Sequence, residues 1–127
     1  MVFNVLVVDD SAVMRAMVIK TLNMSGLPIG EIRQASNGAE ALELLGDHWV
    51  DIALIDLNMP VMTGEEMLDR VRQNPETADL AVVVVSTESS STRIAALQEK
   101  GAGFVHKPFS PVALRDEVLR ITGATIE

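Results

Sequence analysis

The residues best suited to chemistry in this sequence are three aspartates, a serine and a lysine. Asp9, Asp10, Asp56, Ser86 and Lys107 each lie at or just beyond the end of a short aliphatic run. Carboxylates that share one site repel each other unless a cation neutralises them, and Mg²⁺ or Mn²⁺ can do so because these ions prefer oxygen ligands. Beside such an ion a carboxylate can attack a phosphoryl group, with an ammonium and a hydroxyl stabilising the transferred oxygens. The expected product is an aspartyl phosphate.

These residues can act together only if the fold brings the ends of the runs together. Aliphatic runs alternate with amphipathic stretches, and the runs are Phe3–Val8, Ile32–Ala35, Ile52–Ile55, Ala81–Val85 and Phe104–Val105. Continuous Val, Ile and Leu runs are typical of parallel strands covered on both faces. The pattern predicts an α/β fold, a (βα)5 doubly wound parallel five-stranded sheet of the flavodoxin-like type with strand order 2-1-3-4-5, in one domain over residues 1–127.

Helix boundaries are indicated by capping residues and glycines. Thr63 precedes a helical stretch with the spacing of a capping box, and Ser110 precedes another with proline at the first helical position. In the first helix, the helical spacing predicts one side that faces the core, formed by Met14, Met17, Val18, Thr21 and Leu22. Helix ends are expected at the glycines Gly26, Gly46, Gly101 and Gly123.

The polar residues are expected where open parallel sheets bind ligands, beyond the carboxyl ends of the strands. Strands one and three are neighbours in the predicted order, so Asp9, Asp10 and Asp56 should meet in one crevice. Ser86 and Lys107 should flank it. Each residue alone has a structural explanation, because aspartate and serine cap helices or form turns and lysine is often a solvated loop residue. Their occurrence together at one sheet edge favours a metal-dependent phosphoryl site.

Composition limits the other functions that this chain can have. The sequence has 127 residues, 10 Lys and Arg against 18 Asp and Glu, a net charge of −8, and no Cys. The acidic balance argues against nucleic-acid or membrane-surface partners, and the absence of Cys excludes disulfides and thiolate metal sites. No run approaches the ~20 apolar residues of a membrane helix, and the N-terminus does not resemble a signal peptide. We expect a cytoplasmic monomer.

The motifs around these residues resemble those of response-regulator receiver domains of two-component systems, over essentially the whole chain. The matching motifs are Val7-Val8-Asp9-Asp10-Ser11, Asp56-Leu-Asn-Met-Pro60 followed by Gly64, Ser86-Thr87, and Lys107-Pro108-Phe109. The resemblance implies that a histidine kinase phosphorylates Asp56. It also implies that Asp10, Asp56 and the backbone carbonyl of Asn58 ligate Mg²⁺. Asp9 would act through a metal-bound water.

The resemblance further implies a switch. Ser86 would hydrogen-bond the phosphoryl group, and Lys107 would contact it in a direction set by a cis Lys107–Pro108 peptide. The ring of Phe104 would then turn inward, and a target protein would bind the face formed by helix 4, strand 5 and helix 5. That face is expected to be basic and to favour an acidic, helical partner segment because of Arg93, Lys100, Arg115 and Arg120.

Several positions are similar to the single-domain, chemotaxis-type (CheY-like) members of the family. Asn58 and Glu88 would admit a water molecule to the acyl phosphate, which implies a short-lived signal, and a separate phosphatase is a further expected partner. The sequence ends at Glu127, a few residues beyond the fifth predicted helix, so no output domain is expected. Two departures are Phe104, where chemotaxis proteins usually have Tyr, and Leu57, where some have Trp.

Other functions fit the same residues less well. A phosphorelay intermediate, or a receiver domain cut from a larger regulator, would show the same site, whereas a phosphorylation-independent interaction module would not need it. A phosphatase of the haloacid dehalogenase type needs a second acid where this chain has Asn58. A flavodoxin would bind a phosphate in its first loop, where Asp9 and Asp10 would repel it. We therefore expect a phosphoacceptor regulator that is no enzyme beyond catalysing phosphorylation and dephosphorylation of its own aspartate.

Overall fold

Strands and helices alternate along residues 2–125, which are the residues that the computed structural model describes. The strands are β1 (Phe3–Val8), β2 (Ile29–Ala35), β3 (Ile52–Ile55), β4 (Ala81–Ser86) and β5 (Gly103–His106). The helices are α1 (Ala12–Met24), α2 (Gly38–Asp47), α3 (Gly64–Gln73), α4 (Ser91–Glu99) and α5 (Pro111–Thr122). All neighbouring strands are parallel and their order is β2-β1-β3-β4-β5, which confirms the predicted fold class. Within these residues, no helix has the length and apolar character needed to span a membrane.

Helices cover both faces of the sheet. On one face, the buried helical residues come from α1 and α5 and are Val18, Leu22, Leu114 and Val118. On the other face, they come from α2, α3 and α4. Strands β1, β3 and β4 supply side chains to both faces, because successive side chains of a strand point in opposite directions. Burial on both faces explains why these strands are continuous aliphatic runs in the sequence.

Some boundaries differ from the predicted ones. β2 begins at Ile29 rather than Ile32, because an edge strand can include exposed residues that interrupt an aliphatic run. β5 covers Gly103–His106, since the residues on either side of its apolar pair also pair with residues of β4. Gly46 lies inside α2 and does not end that helix. The other three predicted helix-ending glycines follow α1, α4 and α5 with positive φ, as expected: Gly26, Gly101 and Gly123.

The predicted core-facing side of α1 is largely confirmed, but the prediction that Met17 faces the core is wrong. Met17 is 55% exposed and Met14 is half-buried, whereas Val18 and Leu22 pack against the sheet. Val13, also in α1, is exposed as well. Apolar residues thus occur on more than one side of this helix, so apolar character alone does not show that Met17 is buried.

Candidate functional site

Three carboxylates meet where β1 and β3 end. Asp9 and Asp10 follow β1, and Asp56 follows β3. The N–H of Asp9 donates to the carbonyl of Ala35 (3.1 Å) and the N–H of Asp56 donates to the carbonyl of Val8 (3.0 Å). These bonds extend the strand pairing by one residue and fix the backbone at both positions. Carboxylate oxygens of the three aspartates lie within 4.8 Å of one another, so the structure brings the predicted acidic residues together.

The three aspartates differ in their exposure. Asp9 is only 4% exposed, and one of its carboxylate oxygens accepts a hydrogen bond from the N–H of Ser11 (2.9 Å), the N-cap of α1. Asp56 is half-buried and Asp10 is exposed. Hard carboxylate oxygens that are open to water on one side suit Mg²⁺, which takes one or two protein carboxylates and keeps water or phosphate oxygens as its other ligands. The acidic cluster is therefore compatible with Mg²⁺.

Lys107 reaches the same crevice from the end of β5. Its Nζ lies 3.4 Å from Asp9 Oδ2 and 3.7 Å from Asp56 Oδ1. The N–H of Lys107 donates to the carbonyl of Ser86 (2.8 Å), which joins this loop to the end of β4, and the Lys107–Pro108 peptide is cis. One ammonium beside three carboxylates leaves an excess of negative charge, which favours a divalent cation in the crevice.

The pKa of the Asp56 carboxyl group lies above its usual range. Burial is the main cause, since it disfavours the charged form, and the nearby Asp9 and Asp10 raise this pKa further. Lys107 and the backbone N–H of Leu57 lower it without cancelling the effect of burial. The metal-free native protein therefore binds a proton at Asp56 more tightly than the unfolded chain does.

Replacing Asp56 with Asn should stabilise the metal-free protein at neutral pH. The substitution removes an ionised carboxylate that burial and two neighbouring aspartates disfavour. Because the native pKa is raised, the gain should be largest above it and should shrink as the pH falls through it, when wild-type Asp56 becomes protonated. Urea denaturation in EDTA at neutral and acidic pH measures this difference, with the exposed Asp47→Asn as control. A gain that grows toward acidic pH would contradict the prediction.

The loop after Asp56 is fixed by the start of α3. Gly64 is the first residue of α3, and its N–H donates to the carbonyl of Leu57 (2.9 Å). A Cβ on Gly64 would lie 2.2 Å from the carbonyl oxygen of Asp56, so this close approach requires glycine. Thr63 caps α3 through the predicted capping box. Asn58, two residues after Asp56, is exposed.

Ser86 lies at the end of β4, beside β3, and is fully buried. Its hydroxyl oxygen accepts a hydrogen bond from the N–H of Glu88 (3.1 Å). The carboxylate of Glu88 is bound at the start of α4, where it accepts from Arg93 Nη1 (2.6 Å) and from the N–H groups of Ser89 (3.2 Å) and Ser90 (2.9 Å). Sequence reasoning placed Glu88 beside the acyl phosphate, whereas the structure shows its carboxylate engaged with α4.

Two residues near the site were missed by sequence reasoning. The Nη1 of Arg15 donates to the backbone carbonyl of Asp9 (2.6 Å), so Arg15 supports the acidic loop from α1. Glu65 of α3 pairs with Arg93, a cation that the sequence assigned only to a partner-binding face. Of the two, only Arg15 could have been identified from the sequence, because it lies on the first turns of the helix that follows the acidic pair. Contacts between α3 and α4 leave no pattern in the sequence.

The prediction of a basic face on α4, β5 and α5 is wrong. The four cations are all paired with carboxylates, in the combinations Arg93 with Glu65 and Glu88, Lys100 with Asp69, Arg115 with Asp116, and Arg120 with Glu117. Each positive charge is thus offset by a neighbour, which weakens its attraction for an acidic segment. Phe104 of the same face is half-buried and packs against the core, and its N–H donates to Glu117 Oε2 (2.7 Å).

A family and several known proteins match this sequence over most of its length. Residues 5–119 match the family described as response regulator receiver domain. A chemotaxis protein CheY homolog of Campylobacter jejuni subsp. jejuni is 31% identical over 122 residues, which are 94% of this chain and 92% of that protein. The two-component response regulator ORR5 of Oryza sativa subsp. japonica is 39% identical over 110 residues, 85% of this chain and 80% of that protein.

The backbone is similar as well. The solved structure of the chemotaxis response regulator CheY4 of Vibrio cholerae superposes with a TM-score of 0.82 at 34% sequence identity, and the match covers 95% of this chain and 99% of that one. Sequence and fold therefore both match those of receivers over nearly the full length, and the family match spans Asp9, Asp10 and Asp56. On this evidence the chain belongs to the response regulator receiver domain family, as a CheY-like receiver.

Proposed function

We propose that this receiver accepts a phosphoryl group from a histidine kinase onto Asp56, with the help of Mg²⁺. The observation that supports this most directly is the meeting of Asp9, Asp10 and Asp56 within 4.8 Å, with Lys107 Nζ within 4 Å of two of them. This set contains a nucleophile, oxygen ligands for a metal and a cation for the transferred oxygens. Membership of the receiver family supports the same role.

In the proposed reaction, a carboxylate oxygen of Asp56 attacks the phosphorus of a phosphohistidine. The phosphohistidine ring carries a proton on its other nitrogen, so that, when the P–O bond forms and the P–N bond breaks, the imidazole leaves with the bonding electron pair as a neutral ring. When bound, Mg²⁺ would neutralise the acidic crevice and the phosphoryl oxygens. Its proposed protein ligands are Asp10, Asp56 and the backbone carbonyl of Asn58, with Asp9 bound through water. Lys107 would contact a transferred oxygen.

Ser86 and Phe104 would connect the phosphorylated site to a binding surface. The Ser86 hydroxyl would donate to a phosphoryl oxygen. Phe104 of β5 pairs with Val84 of β4, the strand that ends at Ser86, so inward movement of Ser86 would change the packing around Phe104. A groove of about 570 Å³ between β5 and α5 is lined by Phe104 and Phe109 among others. A target protein would bind the face of α4, β5 and α5, with apolar contacts in this groove contributing more than charge.

We place the protein among chemotaxis-type regulators that act as monomers in the cytoplasm. Similarity to a chemotaxis protein CheY homolog supports this subclass. Exposed Asn58 would give the acyl phosphate a short lifetime, and a separate phosphatase would be a further partner. The alternatives are a phosphorelay intermediate, which would pass the phosphoryl group to a histidine of another protein, and a receiver that belongs to a larger regulator. The similarity to a response regulator of rice shows that relatives are not restricted to chemotaxis proteins.

Intact-mass measurement after incubation with acetyl phosphate and Mg²⁺ tests the proposed phosphorylation. Wild-type protein should gain a single phosphate, and EDTA should prevent it. Asp56→Asn should abolish the adduct because the nucleophilic oxygen is lost. Asp47→Asn removes an exposed aspartate of α2 and should keep the adduct. An adduct that persists in Asp56→Asn would show that another residue is the acceptor.

A further inference from the structure

Arg93 joins α3 to the loop between β4 and α4. Its Nη2 and Nε bind the two carboxylate oxygens of Glu65 in α3, at 2.5 Å and 3.1 Å, and its Nη1 binds Glu88 Oε2 at 2.6 Å. The side chains of Arg93 and Glu65 are each 35% exposed and that of Glu88 is 19% exposed. A guanidinium that binds one carboxylate with two parallel bonds and a second with its remaining donors has a defined geometry, unlike a mobile surface ion pair.

The charges of this cluster support each other. The hydrogen bonds that Glu65 accepts from Arg93 are the largest influence on the pKa of the Glu65 carboxyl group, and they hold this pKa below its usual range. The backbone N–H of Ser90, followed by Arg93, lowers the pKa of Glu88. The pKa of Arg93 is raised, chiefly by its hydrogen bonds to Glu65. All three groups are therefore charged at neutral pH, and the cluster remains intact in the resting protein.

The same loop is connected to the proposed switch residue. The N–H of Glu88 donates to the hydroxyl oxygen of Ser86 (3.1 Å), so the backbone of Glu88 and the side chain of Ser86 are linked. The side chain of Glu88 is in turn bound to α3 through Arg93 and Glu65. If Ser86 moves toward a phosphoryl group on Asp56, it pulls the backbone of Glu88 while Arg93 holds the carboxylate in place.

We propose that Arg93 is a positioning residue that keeps Glu88, and with it the β4–α4 loop, in the resting arrangement. This inference rests on the proposed role of Asp56. Inward movement of Ser86 lengthens the contact between Arg93 and Glu88, so this contact stabilises the resting state relative to the switched state. A contact present in only one of two states shifts the equilibrium toward that state by its own free energy. Loss of Arg93 therefore makes the switched state easier to reach.

A second ion pair between the same two helices provides a matched control. Lys100, the C-cap residue of α4, contacts Asp69 of α3 with 2.6 Å between Nζ and Oδ1. This pair joins α3 to the opposite end of α4 and contains no residue of the β4–α4 loop. Its removal should reduce stability about as much as removal of Glu65, without a direct effect on Ser86.

The experiment is a titration with beryllofluoride, a phosphoryl mimic, in the presence of Mg²⁺, followed by the amide NMR signals of Ser86 and Phe104. Arg93→Gln should lower the half-saturating beryllofluoride concentration by about two- to fivefold, as expected for loss of a partly exposed ion pair. Glu65→Gln should also lower the half-saturating concentration, but by less, because Arg93 then still binds Glu88 although it no longer forms an ion pair with α3. Asp69→Asn should leave the half-saturating concentration unchanged.

Two different failures can be distinguished in this titration. If wild-type protein does not respond to beryllofluoride, the proposed function of Asp56 is contradicted. If wild type responds and Arg93→Gln responds at the same or a higher concentration, or if Asp69→Asn shifts as much as Glu65→Gln, the role of Arg93 is refuted. Urea denaturation of each variant confirms that folded proteins are compared, and Glu65→Gln alone still tests the proposal if Arg93→Gln does not fold.

Discussion

Replacing Lys107 with Met should slow phosphorylation of Asp56 by acetyl phosphate about 10²–10³-fold, the usual cost of losing one group that stabilises transition-state charge. The ammonium of Lys107 lies within 4 Å of both Asp9 and Asp56, so it is placed to contact oxygens that are transferred to Asp56. Methionine has a similar length and no charge. The substitution therefore removes the cation while a side chain of similar length fills the space that Lys107 occupies, where the lysine side chain is only 14% exposed.

Binding of Mg²⁺ separates a loss of chemistry from a loss of the site. Removing an ammonium from an acidic crevice removes a competing positive charge, so Lys107→Met should bind Mg²⁺ at least as tightly as wild type in isothermal titration calorimetry. Lys20→Met, at an exposed position of α1, is the control for removal of a lysine and should leave both measurements unchanged. Phosphorylation of Lys107→Met at a near-wild-type rate would show that Lys107 is not part of the reaction.

The sheet and the acidic crevice were predictable because both are consequences of local sequence. Strands buried on both faces must be aliphatic, and the change to polar residues marks the point where each strand leaves the core, as at Val8 and Ile55. In a parallel sheet these points lie at one edge, so the sequence alone predicts that Asp9, Asp56 and Lys107 lie near each other. Their separation of up to 98 residues in the chain was therefore no obstacle.

The charged surface was predicted less well, because its partners are chosen by tertiary packing. Arg93 and Glu65 lie 28 residues apart on two helices, and the sequence contains no period that relates them. Each cation of the α4, β5 and α5 face could therefore be identified while its carboxylate neighbour could not. The prediction that Met17 faces the core failed for a similar reason, since exposed Val13 and Met17 have the same apolar character as the buried Val18. Apolar character therefore indicates burial only where apolar residues occur on a single side of the element.

The second large effect is expected at Gly64, where the start of α3 touches the backbone of the phosphoacceptor. In Gly64→Ala the new Cβ would lie 2.2 Å from the carbonyl oxygen of Asp56 and 3.0 Å from the Cα of Leu57. Both are backbone atoms, so the clash can be relieved only by moving α3 or the loop that bears Asp56. Crowding of this kind costs about 1–3 kcal/mol of stability.

The displacement should also affect chemistry, since a shift of about 1 Å in a reacting group can cost on the order of 100-fold in rate. We expect Gly64→Ala to lower the free energy of unfolding and to slow phosphorylation by acetyl phosphate by roughly that factor.

Gly46→Ala is the matched control, because Gly46 lies in α2 with nothing within 4 Å of an added Cβ. In a helix this exchange should stabilise the protein by about 0.5–1 kcal/mol and leave phosphorylation unchanged. If urea denaturation shows Gly64→Ala to be as stable as wild type, with an equal rate of phosphorylation, then α3 does not fix the position of Asp56.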